Sequence, residues 1–453
     1  MQSWLDHLAD RSGPKYLAIA DAIDHAVRTG ALRPGERLPP QRELAAELGV
    51  DLTTVTRAYG LARDAGLIEG AGRLGSYVRN AAGLPLADLT ADSGMIMPPQ
   101  PGFALLGQAM RDGMAKLLRA GGQSPLLQYQ PSGGALRDRQ EAAQALAARG
   151  MATAEDQAIV TAGGQNALHA IIGTMFAPGD VICAGRSTYP GLLALARRFG
   201  LTVRAIPGDG EGLDPDAVQA AALAGAKAVY VVPTNDNPTT ATLDLERRLW
   251  LAAIIRRHGL TLVEDDAYGQ LPARPLPPLA AFAPERSWHV ASVAKIVSPV
   301  LRVAHVRAPS AAAARRLVGD ISETSVMAPP LNAALVTHWL REGVFADLVA
   351  RVRAEGVVRQ RLVAPLLAGL DHAAHPEGYH IWLRLADTAP APAELASRLS
   401  PLGLSIVPGE RFAVDPAAAE RAVRISIGGA IGHERLARAF EGLRALVGAA
   451  PAR

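Results

Sequence analysis

From Ala158 to Val306 the sequence repeats one pattern, a short run of β-branched and apolar residues followed by a longer stretch of helical periodicity. The runs are Ala158 to Thr161, Val181 to Ala184, Val203 to Ile206, Ala228 to Val232, Leu260 to Glu264, Trp288 to Ala291 and Val303 to Val306. Each is too short for a buried helix. Parallel strands need a crossover of a dozen or more residues, usually helical, so this alternation predicts an α/β domain with a large, mostly parallel sheet. After residue 320, long helical stretches lead to further runs at Tyr379 to Leu385, Leu404 to Val407 and Ala422 to Ile427, which predict a smaller α+β part.

Ligands of open α/β sheets gather beyond the carboxyl ends of the strands. Polar residues stand there: Asn237 after the run ending at Val232, Asp265 after Glu264, and Lys295 after Ala291. Lysine is scarce in this chain, since Lys15, Lys116, Lys227 and Lys295 are the only ones among 46 basic residues, so each is worth inspecting. The stretch Thr161-Ala162-Gly163-Gly164-Gln165 opens a helix with the glycines and free backbone N–H groups that hold a phosphate, although a plain strand-to-helix turn has the same look. In Glu264-Asp265-Asp266, alternate side chains of a strand point oppositely, so only part of the run can face one ligand.

The first eighty residues follow a different pattern. Tyr16, Ile19, Ala20, Ile23 and Val27 make one face of a helix over 16–29, and a second helix is predicted from Gln41 to Leu48, ended by Gly49. Asp51 is placed to cap a third, from Leu52 to about Ala65, with Val55, Ala58, Tyr59 and Ala62 inward. The last two helices make a helix-turn-helix. Leu67 and Ile68, a glycine-rich tip, and Ser76 to Val78 read as a β-hairpin wing. Residues 1–80 carry ten basic and ten acidic side chains, so a nucleic-acid role must rest on local placement rather than bulk charge. A helix-turn-helix used only for protein contacts is the plainer alternative.

Composition removes several other classes. Hydrophobic residues make up 49% and charged residues 20%, which excludes a largely disordered or fibrous chain. Cys183 is the single cysteine, so no internal disulfide forms. The opening residues lack a basic-then-apolar leader and no run of eighteen apolar residues occurs, so the expected location is the cytoplasm, with no membrane partner. The histidines show no paired spacing, and no metal is expected.

The stretch Lys15 to Val78, with "GALRPGERLPPQRELAAELGVDLTTVTRAYGLARDAGLI" at its centre, resembles the winged helix-turn-helix domain of GntR-type regulators. By that resemblance Arg42, Thr53 and Thr54 fall where the family contacts a double-stranded DNA operator, and Arg73 sits at the wing tip; Arg57, on the same helix, is a further candidate for the DNA face. Leu52 and Thr56 depart from it, standing where many members carry arginines. From residue 86 onward, "YQPSGGALR", "TAGGQNAL", "STYPG", "NPTT", "EDDAYG", "SVAKIVSPVLR" and "VRISIGG" resemble fold-type I aminotransferases that use pyridoxal 5'-phosphate. The two together resemble the MocR-type subfamily. The expected organisation is a winged helix over 1–80, a connector over 81–86, and an aminotransferase-like domain over 87–453, with a large part at about 100–320 and a small part at about 321–453.

The second resemblance implies a role for each site residue. Lys295 would form the Schiff base with the cofactor, Asp265 would pair with the pyridine nitrogen, and Tyr268 and Asn237 would bond the ring oxygen. Tyr189 would stack on the ring, while Gly163, Gly164, Ser292 and Arg302 would cup the phosphate, joined by Tyr129 from the other subunit of a homodimer. Arg424 would take the carboxylate of an amino acid or amine effector through its planar fork. Thr240, Val300 and Ala304 depart from the pattern, standing where glycines are usual. The function so implied is a transcriptional regulator that senses an amino compound, or the cofactor itself, by aldimine exchange at Lys295. The alternative is an active aminotransferase with an appended DNA-binding module.

Overall fold

A computed structural model describes residues 14–29, 31–33, 35–70, 75–79, 94–100, 103–119 and 125–448. The chain divides into two compact units, one of residues 1–93 and 100–112, the other of residues 94–99 and 113–453. Arg73 and the expected connector at 81–86 lie outside the described residues.

In the first unit, α1 (Lys15–Thr29), α2 (Gln41–Leu48) and α3 (Leu52–Asp64) are followed by a hairpin of β1 (Ile68–Gly70) and β2 (Ser76–Val78). Asp51 caps α3, its carboxylate accepting from the Thr53 N–H at 2.7 Å, which satisfies one of the donors a helix start leaves open. Gly49 closes α2 at φ 59°, a left-handed turn that costs glycine nothing, and its N–H donates back to Ala45 and Ala46. The packed faces meet in one small core of Ile19 and Ile23 from α1, Leu44 from α2, Val55, Ala58 and Tyr59 from α3, and Ile68 and Val78 from the hairpin.

In the second unit the sequence runs become a seven-stranded sheet. Its strands are β3 (Ala158–Thr161), β4 (Val181–Gly185), β5 (Thr202–Ile206), β8 (Ala228–Val231), β9 (Thr261–Asp265), β10 (Ser287–Ser292) and β11 (Ala304–Arg307), with a minor hairpin of β6 (Gly208–Asp209) and β7 (Gly212–Leu213) between β5 and β8. The sheet order is β3-β11-β10-β9-β8-β4-β5. β11 alone runs opposite to the other six strands. Every residue of β3, β8, β10 and β11 is buried, the pattern of strands covered on both faces. A smaller antiparallel sheet of β12 (His372–Ala374), β13 (His380–Arg384), β14 (Ser405–Pro408) and β15 (Ala422–Ser426) follows, in the order β12-β13-β15-β14. Among the described residues no helix is long and apolar enough to cross a membrane.

Candidate functional site

The polar residues singled out in the sequence converge within the second unit, beyond the carboxyl ends of its parallel strands. Asp265 ends β9 and is buried. Across the pair β8–β9, Tyr230 lies opposite Val263, so Asp265, two residues further on, shares its face of the sheet. The Tyr230 hydroxyl donates to Asp265 Oδ2 at 2.8 Å. Burial pushes the Asp265 carboxyl up to about 6, against the opposing effect of that hydrogen bond. Its neighbours point elsewhere. Glu264 accepts from the N–H groups of Leu279 and Ala280 at 3.0 and 2.6 Å, and Asp266 pairs with Arg149, with His289 lying between the two carboxylates.

Lys295 follows β10. The residue as a whole is half-buried, but its amine is enclosed, and Nζ donates to the carbonyl of Ile96 at 2.6 Å. Burial lowers the amine to about 8, helped by the positive charges of Arg424 and Arg302 and opposed by Asp265. The Tyr379 hydroxyl donates to the Lys295 carbonyl, fixing the backbone beneath the amine. Tyr268 is buried edge-on to Tyr379, and its hydroxyl has no partner among the described residues.

Arg424, on β15 of the small sheet, is buried and lies over the Phe412 ring. It donates to Asn237 Oδ1 at 3.1 Å and to the carbonyl of Gly94. Asn237 therefore keeps its amide nitrogen for another partner. On the other side, Gly163 at φ 87° caps the helix Gly164–Met175, turning its leading N–H groups outward. Arg302 donates to Ala162 O at 3.0 Å and covers Gly163 so closely that a Cβ there would stand 3.1 Å from its guanidinium. Ser292 borders Gly164. Tyr189 is half-buried against Gly191 and Gln165, with Asp265, Arg302 and Arg424 in its electrostatic surroundings. Tyr129 is 84% exposed.

The arrangement suits a flat, anionic, nitrogen-containing ring carrying an aldehyde. It has a carboxylate at one end, a guanidinium with helix N–H groups at the other, an amine of lowered pKa between them, and an orphaned buried hydroxyl beside it. Sequence reasoning missed Tyr230, which reads as one more apolar strand residue. It also missed residues 94–97, whose carbonyls meet Lys295 and Arg424; Gly429 N–H donates to Met97 O and Pro98 O, both at 3.2 Å, and holds this strap in place.

In the first unit, Arg42 is exposed on α2 and lines a groove of about 630 Å³ with Arg37, Gln41, Tyr59, Arg63 and Ser76. Arg37 and Arg63 gave no signal in the sequence. Thr53 turns its hydroxyl to Asp51 Oδ1 at 2.5 Å, and Thr54 is half-buried. Arg57 lies with its guanidinium 3.8 Å from the centroid of the Tyr16 ring, so it braces α3 on α1. Thr56, one of the departures, ties α3 to Gln41 of α2 at 2.8 Å.

Residues 15–78 match the gntR family of bacterial regulatory proteins, and residues 104–443 match the aminotransferase class I and II family. The uncharacterized HTH-type transcriptional regulator YdeF of Bacillus subtilis is 29% identical over 438 residues, covering 94% of this chain and 92% of that protein. The vitamin B6 salvage pathway transcriptional repressor PtsJ of Salmonella typhimurium is 27% identical over 411 residues, covering 87% and 90%. Among solved structures, LysN, the α-aminoadipate aminotransferase of Thermus thermophilus complexed with N-(5'-phosphopyridoxyl)-L-leucine, superposes with a TM-score of 0.68 at 26% identity, covering 81% of this chain and 96% of that one. Pyridoxal 5'-phosphate is the cofactor of such a domain, and the donor set around Lys295 fits it. The chain belongs to the aminotransferase class I and II family and carries, ahead of that domain, a winged helix-turn-helix of the gntR family.

Proposed function

We infer that the protein is a pyridoxal-phosphate-dependent transcriptional regulator whose second unit binds an amino compound and thereby alters operator binding by the first. The phosphate would be held by Gly163, Gly164, Ser292 and Arg302, the ring by Asp265, Tyr189, Tyr268 and Asn237, and the aldehyde would meet Lys295. Bound there, the cofactor supplies a carbonyl that exchanges amines reversibly and a ring that draws electrons. Arg424 offers a planar fork to the carboxylate of the effector. The exposure of Tyr129 supports a homodimer in which this residue serves the neighbouring site. On DNA, Arg42 with Arg37 and Arg63 would grip phosphates while the start of α3 meets base edges.

The observation that carries the regulatory reading is the strap. Its carbonyls at Gly94 and Ile96 take hydrogen bonds from the very groups an amino acid and the cofactor must engage, Arg424 and Lys295. Anything that claims those donors takes them from the segment that follows residues 80–93, the stretch leading in sequence from the wing. A ligand shifts an equilibrium only through such differential contacts. The test is operator affinity measured with and without a panel of amino acids on the cofactor-loaded protein. A second reading, an active aminotransferase, is favoured by the convergence of Lys295, Asp265 and Arg424. It requires repeated turnover with an amino acid and a keto acid, whereas the regulator requires a saturable spectral change without turnover.

A further inference from the structure

A strand tyrosine, Tyr230, holds Asp265 in place. It is fully buried in the middle of the sheet, on the all-buried strand β8. The register that sets it opposite Val263 carries its hydroxyl diagonally to Asp265, where it donates to Oδ2 at 2.8 Å. A carboxylate has two oxygens and several lone pairs, and a buried carboxylate with no fixed partner rotates and is easily neutralised. One tethered oxygen removes both freedoms. The other buried acids of the run are committed elsewhere, Glu264 to backbone N–H groups and Asp266 to Arg149, so neither can substitute.

We propose that Tyr230 is a positioning residue for the cofactor ring: by tethering Oδ2 of Asp265 it aims Oδ1 at the pyridine nitrogen and favours the ionised carboxylate that keeps this nitrogen protonated. This rests on the reading that the site holds pyridoxal phosphate. Tyr230 is fully buried and its hydroxyl is committed to Asp265. It acts only through Asp265, and its influence is confined to ligands that carry the ring nitrogen.

That confinement supplies the test. Affinities of the full chain for pyridoxal phosphate, and for the analogue with carbon in place of the ring nitrogen, are measured by fluorescence titration for wild type and Tyr230→Phe. A hydrogen bond to a charged group is worth enough that Tyr230→Phe should weaken pyridoxal phosphate binding by roughly ten-fold or more. The analogue should bind both proteins alike. In an Asp265→Asn background the Tyr230→Phe change should then cost neither ligand anything. Tyr230→Gln, which retains an N–H donor, serves as the second variant and should recover part of the loss. An equal penalty for both ligands would mark a merely structural tyrosine and overturn the proposal, as would no penalty for either. Failure of wild type to take up any pyridoxal phosphate is a distinct result, which would overturn the cofactor reading and this proposal with it.

Discussion

The amine of Lys295 donates to the carbonyl oxygen of Ile96 at 2.6 Å, and Arg424 reaches the carbonyl of Gly94 in the same strap. Lys295, in the turn after β10, and Arg424, on β15, therefore hold one short stretch of backbone. Gly428 makes the fit possible, since a Cβ there would collide with the Met97 carbonyl oxygen. Gly428→Ala should force the strap away and give the effector-free protein the operator affinity that wild type shows only with effector. Gel-shift titrations of the two proteins without effector make the comparison, and identical wild-type and variant affinities and responses would separate the strap from regulation.

Lys295 should titrate as a site group. Only the neutral amine attacks a carbonyl, and this amine is lowered to about 8 from an ordinary 10.5. Uptake of pyridoxal phosphate by the apo protein, followed by absorbance, should accelerate as pH rises through about 8. The sign for stability follows from the same shift. Between about 8 and 10.5 the unfolded chain binds the proton that the folded chain has lost, so stability relative to Lys295→Met should rise with pH across that window.

Much of this site is legible in the sequence. The runs at 158–161 and 228–232 form β3 and β8 nearly residue for residue, because a strand buried on both faces writes itself as a continuous apolar run. The alternation expected in Glu264-Asp265-Asp266 also holds, with Asp265 turned one way and its neighbours the other. Tyr230 is hidden because a strand tyrosine looks apolar, and only the register of β8 on β9 shows where its hydroxyl goes. The strap leaves no trace either. It acts through carbonyl groups, which every residue has.

The arginines of the winged helix should separate by role. Arg42→Ala and Arg63→Ala should each lower the salt dependence of operator binding by about one phosphate contact. Arg57 packs on Tyr16, so Arg57→Ala should instead cost about 0.5 to 1 kcal/mol of stability while leaving the salt slope in place. Thermal unfolding and binding at several salt concentrations distinguish the two. A reduced slope in Arg57→Ala would return that residue to the DNA face.

Arg424 should set which amines count as effectors. Removing a buried charged partner costs about 2 to 5 kcal/mol, so Arg424→Ala should lose most of its affinity for carboxylate-bearing amines. The corresponding amines without a carboxylate should bind wild type and variant equally well. Spectral titration with matched pairs of ligands reads this directly, and an equal loss for both classes would mean that Arg424 supports the fold rather than the carboxylate.

The central claim is that an amine changes DNA binding by displacing Lys295. Its most direct test is operator affinity with and without effector, on wild type and Lys295→Ala, each loaded with pyridoxal phosphate. The expected result is that Lys295→Ala still binds the operator, but with a single affinity that does not change when the amine is added. An effector response of wild-type size in Lys295→Ala would contradict the account.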